Sequence, residues 1–264
     1  MKLHFYKYQG AGNDFIMIDA SKLKEDIFQQ KLVYQLCDRH FGIGADGLIL
    51  LLPEAGHDFR MKYFNSDGRE GTMCGNGGRC IVAFARMLKI IDKSTVFTGI
   101  DGQHEGVLNE DGSISLRMMD VIDVKRFEDG WLLDTGSPHF VQVVESLDNL
   151  DVVGLGRKIR YQERFGPGGT NVNFIQISKN DIKIRTYERG VENETLACGT
   201  GTVASAIIAY LVQKSDKTAY KLTAPGGVLQ VKFTPGEKGE FKNIWLSGPA
   251  KFVFAGEMEV TNIK

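Results

Sequence analysis

The sequence predicts an α+β fold made of two similar, pseudo-symmetric domains, and three observations carry that reading. Short segments alternating apolar and polar residues with period two recur along the chain, helical periodicity is confined to a few stretches, and one strand–turn–helix unit occurs twice in the same order. The length of 264 residues fits one large or two modest domains, taking about 150 residues per domain. Such a chain buries enough surface to fold without disulfide or metal staples.

Taken in order, the first helical pattern spans residues 24–38 and is amphipathic. The run from Leu48 to Leu52 is far too short to cross a bilayer. Residues 59–64, 182–187 and 228–233 alternate cleanly as strands, and Asp-Gly turns at Asp101, Asp111 and Asp129 separate further strands. A second helix over 77–91 puts Cys80, Phe84, Met87, Leu88 and Ile91 on one face, while Arg79 and Arg86 read as solvated or salt-bridged. A third helix over 202–212 is apolar nearly all round and uncharged, the pattern of a helix enclosed by other elements.

Lys and Arg number 32 against 33 Asp and Glu, a net charge of −1, so no global basic field draws the protein to nucleic acid. Hydrophobic residues at 42% and charged ones at 25% exclude disordered, collagen-like and membrane classes. The first residues lack the apolar run of an export signal, so a cytoplasmic location with reduced thiols is expected. Four cysteines, Cys37, Cys74, Cys80 and Cys198, form neither a CxxC pair nor a zinc-spaced cluster; no metal is expected. Cys37 and Cys80 read as packed small hydrophobes.

The duplication aligns residues 61–68, Met73-Cys74-Gly75-Asn76-Gly77-Gly78 and a helix with residues 184–190, Ala197-Cys198-Gly199-Thr200-Gly201-Thr202 and a helix. Upstream, Gly10-Ala11-Gly12-Asn13-Asp14-Phe15-Ile16 matches Thr135-Gly136-Ser137-Pro138-His139-Phe140-Val141. The boundary falls near 117–125, giving an N-terminal domain of 1–119 and a C-terminal domain of 120–250. A pseudo-two-fold axis would let both Cys-Gly turns face a shared cleft.

Cysteine at a helix entrance feels the partial positive charge of the first N–H groups, which favours thiolate. Bare glycine backbone and consecutive N–H donors suit a carboxylate, since neither turn is a Walker loop or a GxGxxG. Removing the proton α to a carboxylate demands donors aimed at that group. One thiolate taking the proton while an opposed thiol returns one inverts the centre, which is racemisation or epimerisation. His139 and Glu188 are placed to manage the thiol protons. The first-half counterpart of Glu188 is Asn65, an inequality that lets this position read an asymmetric part of the substrate.

At these motifs the chain resembles the diaminopimelate epimerase family, cofactor-independent enzymes that interconvert LL- and meso-diaminopimelate for lysine and cell-wall synthesis. The likeness runs through Gly12-Asn13-Asp14-Phe15, Phe64-Asn65-Ser66-Asp67-Gly68, Cys74-Gly75-Asn76-Gly77-Gly78-Arg79-Cys80, Pro138-His139, Asn171-Val172-Asn173-Phe174, Glu188-Arg189-Gly190 and Ala197-Cys198-Gly199-Thr200-Gly201. The resemblance implies Cys74 and Cys198 as the acid/base pair. It implies that Gly75, Asn76, Gly199 and Thr200 hold the reacting carboxylate, and that Asn13, Asn65, Asn171, Glu188 and Arg189 bind the ammonium groups and the distal carboxylate. His139 and Glu188 would tune the thiols. It also implies a curved, mostly antiparallel sheet or barrel wrapped around a central helix in each domain, with a final strand over about 251–263 returning to the first. Many members carry Asn where this chain has Ser137, and some carry Gln where it has Gly47.

The expected partner is a small-molecule substrate, with no nucleic acid, no membrane and no cofactor; the oligomeric state stays open, a homodimer being one option. Two rival activities are a proline or hydroxyproline racemase, for which the distal set would be superfluous, and a thiol redox protein, for which the two cysteines would cycle through a disulfide. A non-catalytic binder would tolerate Cys74→Ser.

Overall fold

A computed structural model of the chain describes residues 1–178, 181–214 and 216–260. It divides into two units, Met1–Leu116 with the chain from Pro249 on, and Arg117–Gly248. The first unit holds β1 (Lys2–Gly10), β2 (Asn13–Asp19), α1 (Gln30–Cys37), β3 (Gly47–Leu52), β4 (Arg60–Asn65) and β5 (Glu70–Gly71), then α2 (Gly75–Met87), β6 (Ser94–Gly99), β7 (Gly102–Leu108) and β8 (Ile114–Arg117). The second holds β9 (Val124–Phe127), β10 (Gly130–Asp134), β11 (Pro138–Val143), α3 (Val152–Arg160), β12 (Asn171–Ile177), β13 (Ile182–Glu188) and β14 (Asn193–Thr195), then α4 (Gly199–Gln213), β15 (Ala219–Ala224), β16 (Gly227–Pro235) and β17 (Phe241–Gly248). The last strand, β18 (Lys251–Glu259), pairs antiparallel with β1, so it belongs to the first unit. The end of the strand expected to reach 263 lies outside the described residues.

Each unit repeats one topology. In the first, β1 pairs antiparallel with β2, β2 runs parallel to β3, β3 pairs antiparallel with β4, and β4 takes β5 antiparallel and β6 parallel before the β6–β7–β8 meander. In the second, β10 to β17 repeat the same parallel and antiparallel choices. Leu48 pairs with Phe64 as Val172 pairs with Tyr187, so Asn65 answers to Glu188, Tyr63 to Thr186, Gly47 to Asn171 and Ile49 to Asn173. Sequence matching sets Phe15 against Phe140; the strand registers move it by one, because Phe15 lies beside Gly47 as His139 lies beside Asn171.

The central helix of each unit is enclosed. Residues 75–82 of α2 are all buried, and the helix packs on β1, β2, β3 and β7. In α4 almost every residue to Ala209 is buried, and strands β10 to β13 and β15 to β17 surround it. That explains its lack of charge: no face meets water. The other face of the first sheet is covered by α1, where Leu48, Leu50 and Leu52 join Val33, Leu36 and Phe28 in one cluster. Because helices cover both faces, β3 reads as an unbroken apolar run rather than an alternating one.

Three helices differ from the sequence reading. The one expected over 77–91 is α2, which ends at Met87; that residue is exposed, and Ile91 is buried from the chain beyond the helix. The pattern over 24–38 yields only α1, preceded by a 3-10 turn at Glu25–Ile27. Between them Gln29 is extended (φ −71°, ψ 158°) and Phe28 is buried, so docking Phe28 interrupts the helix. Periodicity does not reveal α3, whose Val152-Val153-Gly154 start has low helix propensity. It forms because Asp151 accepts the Gly154 N–H at 2.9 Å and Val152 and Ile159 pack into the core of the second unit.

Candidate active site

The start of α2 is capped by sulfur. Cys74 is extended (φ −94°, ψ 144°), and its Sγ accepts the Gly77 N–H at 3.2 Å in the place usually taken by a Ser or Asp oxygen. The first helical bond runs from the Gly78 N–H to the Cys74 carbonyl at 2.8 Å. The thiol is half-buried and is not part of a disulfide.

Asn76, in the first turn, donates through Nδ2 to Asn13 Oδ1 at 2.5 Å and accepts at Oδ1 from Arg79 Nη2 at 2.7 Å. Asn13 Nδ2 in turn donates to Asp46 Oδ2 at 2.9 Å. A guanidinium only donates and a carboxylate only accepts, so the two ends of this chain fix the orientation of both amides. Asp46 is anchored by Arg39 at 2.7 Å, and Arg39 also binds Asp14, which pairs with the buried Lys7 at 2.7 Å. Burial works against the Asp14 carboxylate, yet its bonds to Arg39 and Lys7 hold it down to about 2.

Arg79 overturns its sequence reading: it is fully buried and has no carboxylate partner among the described residues. Its guanidinium donates to Gly75 O (3.1 Å), Pro249 O (3.3 Å) and Asn76. Burial lowers its pKa. A buried cation at the electropositive end of a helix is doubly unfavourable, so this helix start favours an anion beside it.

The start of α4 is built differently. Cys198 is buried, outside any disulfide and extended (φ −109°, ψ 116°), and its Sγ lies 3.5 Å from Thr200 Oγ1 rather than capping the helix. His139 is fully buried, with Nε2 2.9 Å from Thr200 Oγ1 and Nδ1 3.0 Å from Asn173 Nδ2. An amide nitrogen can only donate, so Nδ1 accepts and the ring proton sits on Nε2, directed at Thr200. That leaves the threonine hydrogen for the sulfur, and His139 reaches Cys198 through one hydroxyl. Burial, aided by the charge of Arg189 and opposed by the Asn173 bond, pushes the imidazole down to about 3 and keeps it neutral.

Asn173 is a site residue that sequence reasoning missed. It is fully buried, accepts the Thr186 hydroxyl at 3.0 Å, and lies so close to α4 that a Cβ at Gly201 would stand 2.4 Å from its Oδ1. The signal was present: Asn171 and Asn173, two residues apart, share one face of a strand.

Asn171 donates to Ser137 Oγ (2.9 Å) and Pro138 O (3.0 Å) and accepts the Arg189 N–H (2.8 Å). The exposed Arg189 guanidinium donates to the same Ser137 hydroxyl at 3.1 Å, so Ser137 ties this group together. Glu188 is half-buried; desolvation raises its pKa against the Thr195 hydroxyl, which donates to it at 2.8 Å. Asn65, its counterpart, ends β4 in an exposed position.

The first unit therefore brings together Cys74, Gly75, Asn76 and Asn13, with Asn65 on β4, and the second brings together Cys198, Gly199, Thr200, His139, Asn171, Glu188 and Arg189. Among the described residues no group of three or more His, Cys, Asp or Glu could hold a metal ion, and no helix is long and apolar enough to cross a membrane.

A family model described as diaminopimelate epimerase matches residues 5–120 and 131–253. A diaminopimelate epimerase of Flavobacterium psychrophilum is 52% identical over 258 residues, covering 96% of this chain and 98% of that protein. One from Aquifex aeolicus is 41% identical, covering 97% and 98%. Among solved structures, a Bacillus anthracis phenazine biosynthesis protein of the PhzF family superposes with a TM-score of 0.77 at 17% identity, covering 98% of this chain and 100% of that one. A hydroxyproline epimerase of Agrobacterium vitis superposes at 0.67 with 14% identity, covering 97% and 92%. Both likenesses are of fold.

Proposed function

The chain belongs to the diaminopimelate epimerase family and catalyses the epimerisation of diaminopimelate, and we propose that Cys74 and Cys198 are the two groups that do it. The observation that carries this reading is the repeated placement: each of these cysteines, neither in a disulfide, is the residue immediately before a buried helix, α2 or α4, in matching positions of two matching units. The reaction interconverts the LL and meso forms, and it serves lysine and cell-wall precursor synthesis.

One cysteine, as thiolate, removes the proton from one face of Cα, leaving a carbanion whose charge spreads into the α-carboxylate. The other, as thiol, delivers a proton to the opposite face and becomes the thiolate. After one turnover the thiol and thiolate have exchanged places, so the reverse reaction starts from the complementary state. Backbone N–H groups at Gly75, Asn76, Gly199 and Thr200 hold the carboxylate, where donors of fixed orientation stabilise the developing charge. Asn13, Asn65, Asn171, Glu188 and Arg189 bind the ammonium groups and the distal carboxylate. His139 acts on Cys198 through Thr200, and Glu188, its pKa raised by burial, tunes the proton inventory of the second unit.

The proline-type alternative is not favoured, because relatives matched at 41–52% identity over nearly their full length are diaminopimelate epimerases. The cytoplasmic location and the homodimer belong to this reading as proposals, the second to be settled by sedimentation mass. Solvent-deuterium incorporation tests the mechanism. Cys74→Ser and Cys198→Ser should each lose about 10²–10⁴-fold in epimerisation while keeping a native circular-dichroism spectrum. Epimerisation by wild type without deuterium in the product would refute the two-thiol route.

A further inference from the structure

We propose that Tyr63 is a positioning residue of the substrate site, its hydroxyl fixing the amide of Asn65 as Thr195 fixes the carboxyl of Glu188. The inference rests on Asn65 being a substrate contact, as in the reading above. Its geometry is independent of that reading.

Tyr63 Oη donates to Asn65 Oδ1 at 2.9 Å. The ring reaches that position because two glycines leave room on neighbouring strands. A Cβ at Gly47 would stand 2.6 Å from Tyr63 Cε2 and 3.2 Å from its hydroxyl, and one at Gly71 would stand 3.2 Å from Cδ1 and Cε1. Gly47 lies opposite Asn65 on β3 and Gly71 lies opposite Tyr63 on β5, so the ring spans three strands. Phe15 meets it edge-on at 6.1 Å between centroids.

The second unit shows what this replaces. Thr195 occupies the place of Gly71, since it pairs with Thr186 as Gly71 pairs with Tyr63. Its hydroxyl donates to Glu188 Oε2 at 2.8 Å. Asn171 fills the place of Gly47. In the first unit neither position has a side chain: the tyrosine ring takes the space beside Gly47, shares that beside Gly71 with the Asn65 amide nitrogen, and supplies the missing hydroxyl. The residue at the end of the fourth strand thus accepts one hydroxyl bond in each unit, from different sources. With Oδ1 engaged by Tyr63, Asn65 offers its Nδ2 hydrogens, and the ligand atom that suits them is an oxygen acceptor such as a carboxylate.

Tyr63→Phe keeps the ring and removes only the hydroxyl. We expect it to raise KM for diaminopimelate about three- to tenfold, the worth of one hydrogen bond, with kcat within about twofold. Asn65→Ala should raise KM at least as much, and the double variant should match Asn65→Ala alone. A wild-type KM in Asn65→Ala would overturn Asn65 as a substrate contact, without bearing on the bond itself. An impaired Asn65→Ala beside an unchanged Tyr63→Phe, or a double variant whose effect is the product of the two singles, would overturn the positioning role.

Discussion

The starts of α2 and α4 share a backbone plan and differ in almost every side chain that surrounds it. In the first unit the sulfur accepts a backbone N–H and a buried guanidinium stands behind the turn. In the second the sulfur meets a hydroxyl that is itself held by a neutral imidazole. The difference extends into the sheets: the buried polar set His139, Asn173 and Thr186 has Phe15, Ile49 and Tyr63 as its counterparts. Duplication has preserved where the two cysteines sit, while a buried guanidinium lies behind one and a hydroxyl held by an imidazole lies beside the other.

Within this comparison the larger effect comes from removing the fully buried guanidinium behind the first turn. Arg79→Met should slow alkylation of Cys74 at neutral pH about tenfold, as loss of a neighbouring cation disfavours the thiolate, and leave Cys198 alkylation unchanged. It should also cost about 1–3 kcal/mol in urea unfolding for each carbonyl left without its donor. Arg79→Lys, which retains a cation, should keep the alkylation rate near wild type; equal slowing in both variants would point to packing instead of charge. Thr200→Val removes the hydroxyl that lies between His139 and Cys198. It should lower kcat about five- to tenfold with Cys74 alkylation unaltered, and an unaltered kcat would remove His139 from the proton pathway.

The smallest effect is on stability against pH. The His139 pKa is lowered in the folded chain from its ordinary 6.5 to about 3, so between those values the unfolded chain binds more protons. Stability from this group is complete above about pH 6.5 and declines as pH falls toward 3. The Asp14 cluster adds a similar decline only at lower pH, toward about 2. The melting temperature of His139→Asn should therefore drop less than wild type between pH 7 and pH 5. An identical drop would mean that the ring is not buried neutral.

Much of the fold was legible because it is periodic. The alternating segments became β4, β13 and β16, and the uncharged pattern near 202–212 became the enclosed α4. The hidden helix α3 was not legible, since its glycines speak against helix and only its packing on β12 and β13 makes it one. Arg79 was misread for a related reason: a guanidinium beside two glycines in a helix looks solvated until Pro249, from the returning chain, closes over it.

The sequence by itself determined that two like units exist and that each sets a cysteine before a buried helix, because duplication, turn chemistry and periodicity are local properties of the chain. Only the tertiary structure decided what each sulfur and amide experiences. Apart from the Arg79–Asn76 bond, the bonds that orient Asn13, Asn76, His139 and Asn171 join residues 18 to 63 positions apart, and only the pairing of strands and the packing of α2 against them bring such partners within reach.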